Sequence, residues 1–370
     1  MTPFRWTAAQ VMSLARAPFR LAPLIAPGEA SRITPGIDIW DHWPVLEADG
    51  RLAEVAGGLL VLALSAPALP DPDARHAVAR LRLLHRRGGA WRDLGPLLPG
   101  DLNPGSREWA GSAAIDPAHR RLTLYFTAAG VRGEPQPGFE QRLFETSGAL
   151  RIEGDRMAVS GWTPPAELVR PDGVRYETDM RGGGRAGSIK AFRDPFFYRS
   201  PHGEDLLLFA ASRAGSASEW NGLIGAAKRS GGRWSLLPPV IDADGVSNEL
   251  ERPHAITRDG LLYLFWSSQA KVFAPGLPGL TGLYGVVGDR FGGPWRPLNG
   301  DGLVFANPRE APAQAYSWQV LPDLSVWSFA DMVGPDRRGH GPGEAGPRFA
   351  GAPAPALRLR LSGECAELIP

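Results

Sequence analysis

Short apolar runs dominate the hydrophobic pattern of the chain, and long amphipathic helical patterns are rare. Five runs share one form, in which an apolar strand closes on Phe, Trp or Leu and then on small residues. They are Leu59–Ser65, Leu122–Thr127, Leu206–Ser212, Leu262–Ser268 and Leu324–Ala330. Their starts lie 63, 84, 56 and 62 residues apart, which is too far for one hairpin and suits a four-stranded sheet with its loops.

A Gly-Gly-x-Trp turn follows three of the five runs, at Gly88–Trp91, Gly231–Trp234 and Gly292–Trp295. Five similar antiparallel units in one chain predict an all-β fold, a five-bladed β-propeller, in which radial repetition leaves only short sheet edges. The alternative is a β-sandwich whose strands resemble one another by chance. The 46 Gly and 36 Pro residues also favour many short strands over helices.

Only residues 3–20 carry helical spacing, with Phe4, Ala8, Val11 and Leu14 on one face. We interpret this stretch as a surface helix or a frayed lead. The sequence therefore predicts a short N-terminal helical lead over residues 1–32 and a single propeller domain over residues 33–370.

Composition and charge narrow the class of partner. Apolar residues make up 43% of the chain and charged residues 21%, and the formal net charge is +1. These values predict a packed core and no global field toward nucleic acid or an anionic membrane. The single cysteine, Cys365, excludes an internal disulfide and a cysteine-based metal cluster. We expect no transmembrane span and no cleavable signal peptide, because no apolar block is long enough.

A polar motif precedes each of the five apolar runs. The motifs are WDHWP at 40–44, EWAGSA at 108–113, FRDPFF at 192–197, NELERPH at 248–254 and QAYSW at 314–318. Three of them contain a proline, which belongs on an edge strand because it cannot donate to a central ladder. The innermost strand of a propeller blade is such an edge, so the five motifs are predicted to converge on one channel.

This convergence gathers carboxylates and aromatic rings at a channel mouth. Aromatic faces and hydrogen-bonding carboxylates suit a sugar, and glycoside cleavage needs two carboxyl groups. The predicted cluster holds Asp41, Asp194, Glu249 and Glu251 with Trp40, Trp43, Trp109, Arg193, Arg252, His254, Tyr316 and Trp318. Taken singly, each motif is more often a turn, a solvated face or a core residue.

The order of these motifs resembles glycoside hydrolase family 68, the levansucrases, inulosucrases and related β-fructofuranosidases. The resemblance runs from about residue 33 to about residue 335 and includes EADGRL, PLNGDGLV and QVLPDL as well as the five motifs. It is similar to the compact Gram-negative branch, in which Glu-Arg-Pro is followed by a stretch like Phe273–Leu277.

The resemblance implies a five-bladed propeller that acts on sucrose by a retaining double displacement. It implies Asp41 as the nucleophile, Glu251 as the general acid and base, and Asp194 as the stabiliser of the transition state. It also implies that Trp40, Trp109, Arg193 and Arg252 line the fructosyl side, and that Glu249, Gln269 and Tyr316 contribute to the glucosyl or acceptor side. From burial and the neighbouring Asp41, we expect a raised pKa for Glu251.

Three positions depart from the family pattern. Ala110 stands where the family often has Ser, so a hydrogen bond near the nucleophile is absent there. Asn248 stands where calcium-binding members carry Asp, and we expect no metal and no cofactor. Gln269 replaces an Arg or His in the acceptor region, which predicts hydrolysis or short products. The alternative is that the segment is a strand in which Lys271, two residues on, faces the same way and supplies the charge.

The expected function is therefore fructosyl transfer from sucrose to a sugar acceptor or to water. The alternatives are a strict β-fructofuranosidase, a neighbouring five-bladed arabinosidase or xylosidase, and a sugar-binding propeller without catalysis. The expected partners are sucrose and sugar acceptors, with no nucleic acid and no membrane. The expected location is extracellular or periplasmic by a route without an obvious signal peptide, with the cytoplasm as the alternative.

Overall fold

Five mainly antiparallel sheets surround one central axis in the computed structural model, which confirms the predicted five-bladed propeller. The structure describes residues 2–369 except 17–19, 27, 119, 155, 181–188 and 335–346. In that part of the chain no helix is both long and apolar enough to cross a membrane.

Each blade is built from a nearly continuous stretch of chain, whose first long strand is the innermost. Blade I contains β2 (Ile37–Pro44), β4 (Glu54–Val55), β5 (Gly58–Pro67), β6 (Arg80–Arg87) and β7 (Ala90–Pro96), with a 3₁₀ turn at Pro72–Ala77. Blade II contains β3 (Leu46–Glu47), β8 (Arg107–Asp116), β9 (Arg121–Ala129), β10 (Gln141–Glu153), β11 (Arg156–Ser160) and β12 (Ala166–Glu167). Blade III contains β1 (Phe4–Arg5), β13 (Phe192–Arg199), β14 (Asp205–Ser212), β15 (Gly222–Ser230) and β16 (Arg233–Asp242).

The last two blades follow the same plan. Blade IV contains β17 (Glu251–Arg258), β18 (Leu261–Ser268), β19 (Gly282–Gly288), β20 (Trp295–Pro297) and β21 (Leu303–Ala306), with 3₁₀ turns at Ala270–Val272 and Leu298–Gly300. Blade V contains β22 (Ala315–Val320), β23 (Ser325–Val333), β24 (Arg348–Pro353), β25 (Leu357–Ser362) and β26 (Cys365–Ile369). The five repeated runs are the second strands, β5, β9, β14, β18 and β23, as predicted.

The apolar runs form second strands because both of their faces are covered by neighbouring blades. In β5, the side chains of Leu60, Val61 and Leu62 are all fully buried. Truncating a core leucine of this kind to alanine costs about 2–5 kcal/mol. The core therefore lies between the blades, around the axis.

Two of the Gly-Gly-x-Trp motifs are tight hairpin turns, between β6 and β7 and between β15 and β16. Gly88 and Gly89 have φ of +54° and +85°, and Gly231 and Gly232 have φ of +56° and +78°. A two-residue turn with positive φ at both positions follows the twist of the flanking strands, and glycine adopts it without strain. The motif thus marks the outer hairpin of a blade.

The N-terminal helix is shorter than the predicted stretch of residues 3–20. Phe4–Arg5 forms β1, which pairs in parallel with β16, and α1 covers only Ala8–Ser13. Thr7 caps α1 through a capping box with Gln10. Residues 17–19 of the predicted helix lie outside the described residues. Trp6 and Val11 are fully buried, so the lead packs against blades III and IV.

The first and last blades share no strand in the described part of the chain. They meet through side chains. Trp327 of β23 packs edge-on against Trp91 with 5.7 Å between the ring centroids, and the Arg86 guanidinium lies 5.0 Å from the centroid of the Trp327 ring. Arg75 lies 4.3 Å from the ring of Phe349 in β24. We call this contact between blades V and I the seam.

Candidate active site

Every innermost strand has an irregularity at the polar motif that it carries. The register shifts lie between Trp40 and His42, Trp109 and Gly111, Arg193 and Phe196, Glu251 and His254, and Tyr316 and Gln319. A bulge re-aims one side chain of an edge strand and is common at sites. The five motifs therefore present side chains toward the axis at one level.

Three of these bulges hold a non-glycine residue in the left-handed region. Asp194, Arg252 and Ser317 have φ of +60°, +54° and +59°. Such conformations are strained and persist where the surrounding structure fixes them. All three residues are buried. Buried residues with this strain therefore occur where the polar motifs converge.

The bulges surround a cavity with two adjoining lobes, of about 330 Å³ and about 540 Å³. Both lobes are lined by Trp40, Asp41, Asp73, His76, Glu251, Gln269 and Lys271. The smaller lobe adds Trp109, Arg193, Asp194 and Glu249, and the larger lobe adds Arg252 and Tyr316. The structure thus brings together all ten site residues predicted from the sequence.

Arg193 is the centre of charge in the smaller lobe. Its Nη2 donates to Glu251 Oε1 at 2.8 Å and lies 3.4 Å from Glu249 Oε2. Its Nε lies 3.9 Å from Asp194 Oδ2. Burial alone would lower the pKa of Arg193, but the three carboxylates together raise it. The Arg193 guanidinium is therefore shared among three buried acids.

The expectation of a raised pKa for Glu251 is wrong. Burial pushes the pKa of Glu251 upward, but Arg193 and the hydroxyl of Tyr316, which donates to Oε2, outweigh it and lower the pKa. The neighbouring Glu249 takes the opposite shift, because burial and the charge of Glu251 raise its pKa to about 7. The opposite shifts favour Glu249 over Glu251 as the holder of the proton that the pair shares near neutral pH.

Asp41 and Asp194 lie in the same buried environment. Burial raises the pKa of Asp41, while Arg252 and the Ser317 hydroxyl beside it lower it. Burial also raises the pKa of Asp194 to about 6, opposed by Arg193. The backbone N–H of Arg252 donates to Asp194 Oδ2 at 3.2 Å, which fixes that carboxylate.

Three aromatic or imidazole side chains of the predicted cluster belong to the core instead. Trp43 and Trp318 are buried away from both lobes, and the Arg252 guanidinium stacks 4.3 Å over Trp43. His254 Nδ1 is hydrogen-bonded to the Arg252 carbonyl oxygen, and His254 Nε2 accepts a hydrogen bond from the Val320 N–H. Each of them lies two residues after a cavity residue, and the bulge at that cavity residue breaks the strand alternation, so these groups pack outside the cavity and support the bulges.

Several lining residues come from loops that carry no repeat pattern. Asp73, Arg75 and His76 lie on the 3₁₀ turn after β5, where Asp71 and Pro72 were the only sequence signal. Burial lowers the pKa of His76 to about 3, so it is neutral. Asp331, which belongs to β23, also lines the larger lobe, and burial raises its pKa to about 6.

Gln269 and Lys271 both line the two lobes, but the interpretation of this segment as a strand was wrong. Gln269 is extended and precedes a 3₁₀ turn over Ala270–Val272. The Lys271 charge lowers the pKa values of Glu249, Glu251 and Asp331. A cation is therefore present beside the neutral amide.

The residues around Asn248 do not fit a calcium ion. The Asn248 amide oxygen accepts a hydrogen bond from the Lys190 ammonium at 2.9 Å, so a fixed cation already occupies that position. Across the described ranges, no group of three or more His, Cys, Asp or Glu side chains could hold a metal.

Several known proteins are similar to this chain in sequence or in structure. A levansucrase from Pseudomonas syringae pv. actinidiae is 31% identical over an alignment of 370 positions that covers 88% of this chain and 81% of the relative. An extracellular sucrase from Zymomonas mobilis is 28% identical over 97% of this chain and 91% of its own length. The solved inulosucrase from Halalkalicoccus jeotgali, bound to kestose, superposes with a TM-score of 0.89 at 37% identity and covers 99% of this chain and 95% of that one.

The family model described as levansucrase/invertase, glycoside hydrolase family 68, matches residues 1–221 and 214–368. With the propeller, the buried carboxylates and these relatives, the match establishes that the chain belongs to the levansucrase/invertase family.

Proposed function

We propose that the protein is a retaining fructosyl-transfer enzyme that cleaves sucrose and passes the fructosyl group to a sugar acceptor or to water. The observation that carries the proposal is the convergence of Asp41, Asp194 and Glu251 on one buried cavity, where the guanidinium groups of Arg193 and Arg252 compensate their charges. Relatives named levansucrase, sucrase and inulosucrase support the same substrate class.

In the first half-reaction, a carboxylate oxygen of Asp41 attacks the anomeric carbon of the fructosyl unit. The bond from that carbon to the glucosyl oxygen breaks, and the oxygen takes the proton of Glu251, so that glucose leaves. Asp194 and Arg193 hold the fructosyl hydroxyls, and Trp40 stacks on the sugar. A covalent fructosyl-enzyme and a deprotonated Glu251 remain.

In the second half-reaction, Glu251 takes a proton from water or from an acceptor hydroxyl. The resulting oxygen nucleophile attacks the anomeric carbon and displaces the Asp41 carboxylate, which restores the starting enzyme. Glu251 needs its proton at the first step, although the opposite pKa shifts of the ligand-free pair favour Glu249 as its holder. We infer that sugar binding at Arg193 moves it within the pair.

Asp41→Asn tests the proposal directly. Because the amide cannot form the covalent intermediate, we expect kcat for glucose release from sucrose to fall by about 10³-fold or more. Asp49→Asn, an exposed acid outside the lobes, is the matched control and should keep full activity. A folded Asp41→Asn protein with more than about a tenth of the wild-type kcat would contradict the nucleophile assignment. A wild-type protein that binds sucrose without releasing glucose would support the non-catalytic alternative.

The distribution of products follows from the acceptor side of the cavity. Gln269 offers only a neutral amide there, which favours water or short acceptors and makes a strict β-fructofuranosidase the second candidate. Lys271 supplies a charge to the same lobes, which favours transfer. We propose that hydrolysis and short transfer products predominate over long polymer. Free glucose, free fructose and polymer should be measured separately at high sucrose.

We also propose that the enzyme works outside the cytoplasm. The relative from Zymomonas mobilis is named as an extracellular sucrase. Cell fractionation of the native host, with activity measured in each fraction, tests this proposal. Activity confined to the cytoplasmic fraction would contradict it.

A further inference from the structure

A lysine ammonium lies inside a cage of oxygen atoms beside the acid-bearing segment. Lys190 Nζ donates to the Glu219 carbonyl oxygen at 2.6 Å, to Asn221 Oδ1 at 2.8 Å and to Asn248 Oδ1 at 2.9 Å. The three acceptors match the three protons of an ammonium group. Asn248 is fully buried and Asn221 nearly so, and Lys190 itself is half-buried.

The cage joins three segments that are distant in sequence. Lys190 lies two residues before the start of β13, Glu219 and Asn221 lie in the loop that leads into β15, and Asn248 lies in the crossover from blade III to blade IV. None of these atoms belongs to the strand ladders described above. The loops are therefore held together at this point by one cation and its ligands.

The cage oxygens are of the type that a hard metal ion binds. Backbone carbonyl and amide oxygens are ordinary calcium ligands, and three of them converge here on one positive charge. We propose that the Lys190 ammonium is a built-in cation that replaces a structural metal ion at this position, and that it orders the segment carrying Glu249 and Glu251.

The link from Lys190 to the active site runs through Asn248. The amide nitrogen of Asn248 donates to the Ile189 carbonyl oxygen at 2.8 Å and lies 3.4 Å from Glu249 Oε1. Its backbone N–H donates to the Val272 carbonyl oxygen at 2.9 Å, beside the turn that carries Lys271. Lys190 is thus a positioning residue, which acts on the catalytic pair without touching it.

The residue type supports this role. Only three lysines occur among the 40 cationic residues of the chain, at 190, 228 and 271. An ammonium is a compact point charge that donates to three oxygens around one atom, whereas a guanidinium is planar and suits paired acceptors. Burial lowers the pKa of Lys190, while the charges of Glu219, Glu177 and Glu249 oppose that shift and favour the cation.

Lys190→Ala with chemical rescue tests the proposal. The variant lacks the propylammonium part of the side chain, and we expect kcat/KM for sucrose to fall by about tenfold or more. Added propylammonium should restore a large part of the loss, and propanol, which has the same length without the charge, should not. Lys228→Ala is the matched control, because Lys228 pairs with Glu204 at the surface and no rescue is expected.

A calcium titration gives a second readout that does not depend on the proposed activity. The double variant Lys190→Ala with Asn248→Asp empties the cage and adds a carboxylate, so its Tm should rise with added CaCl₂ and fall with a chelator. The wild-type Tm should respond to neither. If Lys190→Ala does not fold, Lys190→Met takes its place, because Met keeps the length of the side chain without the charge. We expect no recovery of Tm by propylammonium in Lys190→Met, since the Met side chain fills the space.

Four results would overturn the proposal. They are wild-type activity and Tm in Lys190→Ala, equal rescue by propanol, a calcium-dependent Tm in the wild type, and no calcium response in the double variant. A wild-type protein that does not cleave sucrose would refute the proposed function, and the Tm measurements would still test the cage.

Discussion

Replacing Tyr316 by Phe removes a single oxygen atom, the one that donates to Glu251 Oε2. A hydrogen bond to a charged group contributes about 1.5–3 kcal/mol. Since one pKa unit corresponds to about 1.36 kcal/mol, losing the bond should raise the pKa of the Glu249 and Glu251 pair by about 1–2 units. The pair shares one proton, and the pKa of Glu249 is about 7.

The sign of the effect follows from the role proposed for Glu251. The acid must carry a proton to release glucose, so the alkaline limb of kcat/KM reports the loss of that proton. In Tyr316→Phe the proton is held to higher pH, and the alkaline limb should move upward by about 1–2 pH units. The plateau should fall, because the carboxyl group loses a contact that orients it.

The measurement is the initial rate of glucose release from sucrose between the acid and alkaline limits of stability. Tyr198→Phe is the matched control, because its hydroxyl lies 3.0 Å from Thr257 Oγ1 outside both lobes. This control should leave the limb in place. An alkaline limb that stays fixed or moves downward in folded Tyr316→Phe would refute the assignment of the limb to this pair.

Three further predictions concern the same cavity. Glu251→Gln should reduce cleavage of sucrose by about 10²–10⁴-fold and spare fructosyl fluoride, whose leaving group needs no proton; equal losses on both substrates would remove Glu251 from the acid role. The pH profile of kcat/KM should be bell-shaped, falling below about pH 6 as Asp194 gains a proton and above about pH 7 as the pair of Glu249 and Glu251 loses one. A profile that is flat from pH 5 to 8 would disagree with the raised pKa values. Gln269→His and Gln269→Arg should shift products from free fructose toward oligosaccharide and polymer at high sucrose, and Lys271→Ala should shift them the other way; abundant long fructan from the wild type would contradict the first expectation.

The blades and most of the cavity wall could be predicted from the sequence because they repeat. Each apolar second strand has a polar motif just before it, and the proline in three of those motifs indicates an edge strand. Asp41, Asp194 and Glu251 were therefore found as members of one pattern. Repetition converts local sequence into position around an axis.

The loop residues of the cavity could not be predicted in this way. Arg75 and His76 lie on a 3₁₀ turn with no periodic signal, and their place at the cavity is fixed by packing against Trp40 and Phe349. No single segment contains that information, because the partners come from the two ends of the chain.

The direction of the Glu251 shift also lay beyond the sequence. Burial was predictable and does act to raise the pKa, but Arg193 is 58 residues away and Tyr316 is 65 residues away. Whether these groups reach Glu251 depends on bulges in blades III and V. The protonation of the acid is a property of the closed ring and not of its own motif.

The seam brings residues of the first and the last blade side by side at one cavity. Asp41 belongs to blade I and Tyr316 to blade V, and packing around Trp327 closes the ring without a shared strand. A sugar held between these residues therefore links the first blade to the last. A ligand that binds only the closed ring stabilises that ring. Resistance to heat inactivation should therefore increase with saturation by substrate, so that the substrate-bound enzyme unfolds at a higher temperature than the ligand-free enzyme.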